Sequence, residues 1–168
     1  MLKDTLNCKV IGITNNCHAP SKEQLMFADE IISNGNYEKV LSTADFVLAI
    51  LPKNEKTNFF FNLGFFKKMK ASSVFINIGR GSTVIEDDLL RCLDDGMIYG
   101  AALDVYSVEP LPPTSKLWEY DNVLMTFHSI GVTVDFWERI YQLFAEELMN
   151  FIEGKPSTRM VDIKAIGY

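Results

Sequence analysis

Ile76-Asn77-Ile78-Gly79-Arg80-Gly81 opens the stretch that decides how this chain folds. Gly100-Ala101-Ala102-Leu103-Asp104-Val105-Tyr106-Ser107-Val108-Glu109-Pro110 continues it, and Thr126-Phe127-His128 closes it. Each block reads as the end of a buried strand followed by a polar or charged residue. In parallel α/β sheets, ligands sit beyond the carboxyl ends of the strands. Arg80, Glu109 and His128 occupy three such ends. Arginine offers a planar fork that matches a carboxylate bidentately. Histidine accepts or donates a proton near neutral pH, and a nearby carboxylate raises its pKa and fixes its ring. Gly79 and Gly81 flank Arg80, which lets backbone approach a ligand closely.

Working outward, the rest of the chain alternates strand and helix patterns. Cys8 to Thr14 is a short strand rich in β-branched residues, and Asn15 to Pro20 is a turn. Ser21-x-x-Gln24 resembles a capping box, so a short helix starts at Lys22. Glu30 to Ser33 is an edge strand, and Tyr37 to Ser42 forms one or two helical turns. Phe46 to Leu51 is a continuous apolar run stopped by Pro52, the mark of a parallel strand covered on both faces. Asn62 caps a helix running to Lys70, and Phe59-Phe60-Phe61 reads as core packing. Val74 to Ile78, Tyr99 to Tyr106 and Val123 to Phe127 are further strands. Glu86 to Asp95 is a helix stopped by Gly96, and Lys116 to Glu119 is a single turn. Asp135 to Glu153 is a long amphipathic helix, with Phe136, Ile140, Phe144, Leu148 and Phe151 at helical spacing. Its expected place is over the sheet, with Asp135-x-x-Glu138 capping its start. Strands and helices joined by short loops specify an α/β domain with a parallel sheet.

The 168 residues suffice for one domain with a full core, and no internal repeat divides residues 1–168. The net charge is −6 and no basic cluster exceeds Lys67-Lys68-x-Lys70, which argues against nucleic acid as a partner. No apolar run approaches the ~20 residues of a membrane span, and the Met1 segment lacks the pattern of a secretion signal. Cys8, Cys17 and Cys92 are odd in number and lack paired spacing, as expected of reduced thiols in the cytoplasm. No metal-ligand pattern is present. Each candidate residue also has a plainer role: a structural ion pair for Arg80, an ordinary loop acid for Glu109, a satisfied strand-end histidine for His128. His18 reads as a solvent-exposed turn residue. Asp104, inside an apolar strand, must have a partner, and a structural group and a ligand are equally open.

The three blocks, in this order and with Glu109 29 positions after Arg80, resemble the D-isomer-specific 2-hydroxyacid dehydrogenases, most closely the glyoxylate/hydroxypyruvate reductase branch. The resemblance spans roughly Cys8 to Tyr168 and only the later part of a family member. It implies an incomplete doubly wound, Rossmann-like parallel sheet lacking the first strand and its GxGxxG turn, in an N-terminally truncated chain. It implies Arg80, Glu109 and His128 as the catalytic set: Arg80 binds and polarises the 2-keto acid, His128 gives a proton to the carbonyl oxygen, and Glu109 pairs with His128. Asp104 would contact the nicotinamide carboxamide, with Pro52, Ile78 and Gly79 along an NAD or NADP cofactor. The chain departs from the family at Thr14-Asn15-Asn16, where an acid often holds the adenosine ribose, at Phe127, where proline is usual, and at Ser129-Ile130-Gly131.

A doubly wound sheet has its first strand at the centre. Without it, Cys8–Thr14 and Phe46–Leu51 are left with open edges, which pair with each other or with a partner chain. The expectation is an obligate homo-oligomer, a dimer with exchanged elements. Three classes of function follow: a 2-hydroxyacid dehydrogenase acting on a small 2-keto acid, a non-catalytic binding module derived from that family, and an oligomerisation unit.

Overall fold

The structure is a computed structural model that describes residues 5–14 and 22–160. The expected turn over 15–20, the Ser21 cap, His18, Cys17 and the Asn15-Asn16 pair lie outside the described residues. Two parallel sheets form. β1 (Ile11–Thr14) pairs with β2 (Glu30–Ser33), Ile11 opposite Glu30, and α1 (Lys22–Phe27) joins them. α2 (Glu38–Leu41) then leads into the second sheet. That sheet has the order β3 (Phe46–Ala49), β4 (Val74–Asn77), β5 (Gly100–Leu103), β6 (Val123–Met125). α3 (Leu63–Phe66) connects β3 to β4, and α4 (Glu86–Asp94) connects β4 to β5. Among the described residues β1 and β3 do not pair, so direct pairing of the two open edges does not occur. The described parallel strands therefore fall in two separate sheets rather than one continuous one.

One face of the four-stranded sheet is well covered. Phe75 of β4 alternates inward and meets an aromatic cluster from the β3–β4 connection, with ring centroids 5.2 Å from Phe61 and 5.1 Å from Phe66. Leu89, Cys92 and Leu93 of α4 close this layer, and Ile98 and Leu117 fill its far end. Local signals act as expected. Asn62 Oδ1 accepts the Phe65 N–H at 3.1 Å and starts α3, and Gly96 adopts φ +62° just past α4. α3 is shorter than expected, since the chain leaves helical geometry soon after Lys67.

The opposite face is open, which corrects the expectation of a strand covered on both sides. Register places Leu48, Ile76, Ala102 and Leu124 in one row across the sheet. Leu48 is 43% and Leu124 68% exposed. α5 (Phe136–Ile152) does not cover this row. None of its residues is buried, and Trp137, Tyr141, Phe144 and Phe151 are all more than half exposed. Periodicity identified an apolar helix face correctly, yet periodicity carries no information about what covers that face. The expected cap also differs: the Asp135 side chain accepts no N–H of the helix N-terminus and instead accepts from the Thr133 hydroxyl and the Arg139 guanidinium. The Phe59–Phe61 run divides as well. Phe60 and Phe61 pack in the core, whereas Phe59 takes φ +56° and lies 61% exposed. No described helix is long and apolar enough to cross a membrane.

Candidate active site

The site is assembled at the carboxyl ends of β3 to β6. At the end of β4, Asn77 is 1% exposed and turns its side chain along its own strand. Its Oδ1 accepts the Gly79 N–H at 3.0 Å and its Nδ2 donates to the Arg80 carbonyl at 3.3 Å. The Thr83 hydroxyl donates to the same carbonyl at 2.7 Å. The Arg80 backbone is thereby pinned while its side chain stays exposed, with Nη1 donating to the Gly79 carbonyl at 2.8 Å. The flanking glycines answer to the chain's own backbone. A Cβ at Gly79 would lie 2.8 Å from the Leu51 carbonyl oxygen, and one at Gly81 would overlap the Tyr106 carbonyl. Close approach to a ligand, as read from the sequence, is therefore not what requires glycine at 79 and 81.

Gly79 thus abuts the end of the β3 strand, and the Ile78 N–H donates to the Ala49 carbonyl at 3.1 Å. Pro52 follows, exposed, its carbonyl accepting the Thr57 hydroxyl at 2.6 Å. Pro52, Ile78 and Gly79 consequently lie near one another at the carboxyl ends of β3 and β4.

The ends of β5 and β6 are bound to each other. Asp104, 2% exposed, lies just past β5. Its carboxylate accepts the Thr126 hydroxyl, the Ser129 N–H at 3.0 Å and the Ile130 N–H at 3.2 Å. Its carbonyl accepts the His128 N–H at 2.8 Å. Asp104 therefore holds the turn carrying His128, a residue in the left-handed region at φ +52°. His128 Nδ1 meets Glu109 Oε2 at 2.8 Å, with the two side chains 47% and 35% exposed. Glu109 Oε1 accepts the Tyr106 N–H at 2.9 Å. A carboxylate on Nδ1 fixes the proton there and leaves Nε2 for proton exchange with a ligand.

The carboxylates are tuned by these contacts. Burial pushes Glu109 up. The His128 hydrogen bond, the Tyr106 N–H and the charges of His128 and Arg80 outweigh it and hold Glu109 below its ordinary value. Burial likewise pushes Asp104 up, and its bonds to Thr126, Ser129 and Ile130 with the His128 charge bring it below the usual range. Burial, then the charges of Asp104 and Glu109, push the Tyr106 hydroxyl up, so it stays a donor at neutral pH. A carboxyl whose pKa is depressed by folding binds fewer protons folded than unfolded. Its stabilisation is full above the unfolded value, about 4, and is lost as pH falls through the lower folded value. The urea midpoint should therefore show no loss from these carboxylates between about pH 5 and about pH 8 and fall steadily below about pH 4. Asp104→Asn should flatten that fall, and an equally steep acid profile in the variant would remove Asp104 from this account.

The structure thus joins Glu109 to His128 directly, places Arg80 close enough for its charge to act on Glu109, and sets Asp104 beneath the His128 turn. Asn77, Thr83, Tyr106 and Thr126 were not anticipated. A buried asparagine within the apolar Val74–Ile78 run was the available signal for the first of them. Among the described residues no group of His, Cys, Asp and Glu side chains is arranged to hold a metal ion.

Comparison with known proteins identifies the family. The model of the D-isomer specific 2-hydroxyacid dehydrogenase NAD binding domain matches residues 1–129. A glyoxylate/hydroxypyruvate reductase A of Photorhabdus laumondii is 36% identical over 76% of the chain, and a probable 2-ketogluconate reductase of Dictyostelium discoideum is 37% identical over 77%. The chain spans 40% and 39% of the length of these two relatives. Among solved structures, the NADPH-dependent glyoxylate/hydroxypyruvate reductase of Sinorhizobium meliloti, in complex with NADP and sulfate, is 32% identical. It superposes with a TM-score of 0.79 over 95% of this chain and 49% of its own. A probable 2-hydroxyacid dehydrogenase of Rhizobium etli, in complex with NADP, HEPES and L(+)-tartaric acid, is 30% identical, with a TM-score of 0.75 over 94% of this chain and 49% of its own. The two parallel sheets, the strand-end residues and these matches together place the chain in the D-isomer specific 2-hydroxyacid dehydrogenase family, through its NAD binding domain.

Proposed function

We propose that the chain is the nucleotide-binding half of a D-2-hydroxyacid dehydrogenase that reduces a small 2-keto acid, such as glyoxylate or hydroxypyruvate, with NADH or NADPH. The observation that carries this is the His128 Nδ1 to Glu109 Oε2 contact at 2.8 Å, on a turn held by Asp104. The Arg80 fork binds the substrate carboxylate and polarises the 2-keto group. His128, with Nδ1 held by Glu109, gives the Nε2 proton to the carbonyl oxygen, and Glu109 stabilises the protonated ring. Pro52, Ile78 and Gly79 fit the nicotinamide end of the cofactor, which supplies a hydride to C2 of the acid when bound. Asp104 takes up three donors and is 2% exposed, so its main work is to hold the His128 turn, with any carboxamide contact secondary. The phosphate end is a poorer fit: the sequence contains no GxGxxG. Residues 1–168 form one partial domain in this reading, working in the cytoplasm, with Cys8 and Cys92 as free thiols. The test is titration of the purified chain with NADH and NADPH by fluorescence, followed by turnover of both acids. Saturable binding with turnover supports the reading. No binding of either nucleotide at millimolar concentration overturns it for this chain.

A second reading, a non-catalytic binding or oligomerisation module, is favoured by the gap between β1 and β3 and by the two uncovered apolar surfaces. Both readings include a homodimer with exchanged elements, in which α5 of one copy covers the Leu48–Ile76–Ala102–Leu124 row of the other. Light scattering at micromolar concentration should give a dimer, and Phe144→Asp should shift it toward monomer. A monodisperse wild-type monomer would remove the dimer from the account.

A further inference from the structure

We propose that Tyr106 is a positioning residue for the His128–Glu109 pair, acting by tying the Glu109 loop to the strand end that carries His128. This inference rests on the dehydrogenase reading for its catalytic consequence and on geometry alone for its structural one. Tyr106 contributes two groups to the pair. Its N–H donates to Glu109 Oε1 at 2.9 Å, which turns Oε2 toward His128 Nδ1. Its hydroxyl donates to the Thr126 carbonyl at 2.7 Å, two residues before His128, with the Leu103 carbonyl at 3.1 Å as a second acceptor. Its ring belongs to the hydrophobic core with Leu103 and Leu117, so both bonds start from a fixed anchor.

The segment carrying His128 is gripped on both sides. Asp104 holds it at Ser129 and Ile130, and Tyr106 holds it at Thr126. Of these two grips, the Tyr106 one also takes hold of Glu109. The distance between imidazole and carboxylate therefore depends on one residue, whose main-chain N–H holds Glu109 and whose hydroxyl holds the strand end that carries His128. A hydrogen bond at 2.8 Å is lost with a displacement of under about 1 Å, and misplacement on that scale costs catalysis on the order of 100-fold. Phenylalanine at this position would keep the ring and the N–H, and would remove the connection to β6.

Tyr106→Phe isolates the hydroxyl. The sequence has two histidines, so a His18→Gln background leaves one imidazole to observe by proton–nitrogen spectroscopy. In that background His128 should show a single Nδ1-protonated form whose proton exchanges slowly. Tyr106→Phe should speed that exchange about tenfold and, where turnover is measured, lower kcat about tenfold at unchanged KM. An imidazole spectrum and exchange rate unchanged by Tyr106→Phe overturn the proposal, even if the urea midpoint drops. Absence of turnover in the wild type counts against the dehydrogenase reading, and the imidazole readout still decides the role of Tyr106.

Discussion

Gly81→Ala should destabilise the chain by about 3 kcal/mol or more, or prevent folding, because the new methyl group overlaps the backbone carbonyl of Tyr106. Flexible side chains swing away from such a clash at little cost. Here the obstacle is main chain, between β5 and the Glu109 loop, and Tyr106 itself is fixed by bonds to Thr126 and Glu109. Relief would require moving the Arg80 loop away from the Tyr106 loop. With a urea slope of about 1–3 kcal/mol per molar, the midpoint should fall by about 1 M or more. Gly79→Ala should cost less, since Leu51 atoms stand at 2.8 and 2.9 Å from its Cβ position. Gly35→Ala meets nothing within 4 Å and serves as the control. Matching midpoints for Gly81→Ala and Gly35→Ala would show that the two loops do not approach as described.

Once turnover is in hand, His128→Gln should lower it by about 100-fold to 10,000-fold, the range expected when a positioned proton donor is removed. The side chain is 47% exposed, so the loss should come without unfolding. Arg80→Ala should abolish measurable turnover, and Arg80→Lys should recover little of it, because a single ammonium does not reproduce the two parallel donors of a guanidinium. Arg80 is also exposed, its guanidinium donating to its own neighbour's carbonyl, so circular dichroism should be unchanged. Unaltered turnover in Arg80→Ala would refute its role in substrate binding.

Much of the fold was legible because local signals decide where strands and helices start and stop. The Phe46–Leu51 and Val74–Ile78 runs, the Asn62 cap and the Gly96 stop all report on neighbouring residues in the chain. Misreadings arose where the decisive partner lies far away in sequence. Phe59, Phe60 and Phe61 are chemically identical, and only the left-handed backbone at Phe59 separates it from the core. α5 has the periodicity of a covering helix, yet a helix face records only its own composition.

The same division holds at the site. Residue type and order alone specified a parallel α/β sheet and put Arg80, Glu109 and His128 at its strand ends, since apolar runs and their terminators are local properties. Tertiary structure decided who bonds to whom. The Asp104 carboxylate reaches Ser129 and Ile130, and Tyr106 reaches Thr126, across the parallel register of β5 and β6. Gly79 and Gly81 are required by Leu51 and Tyr106, which no spacing between them could disclose. A hydrogen bond is made within about 3 Å in space, whereas these partners stand some 20 to 30 residues apart along the chain, and only packing brings them to that distance.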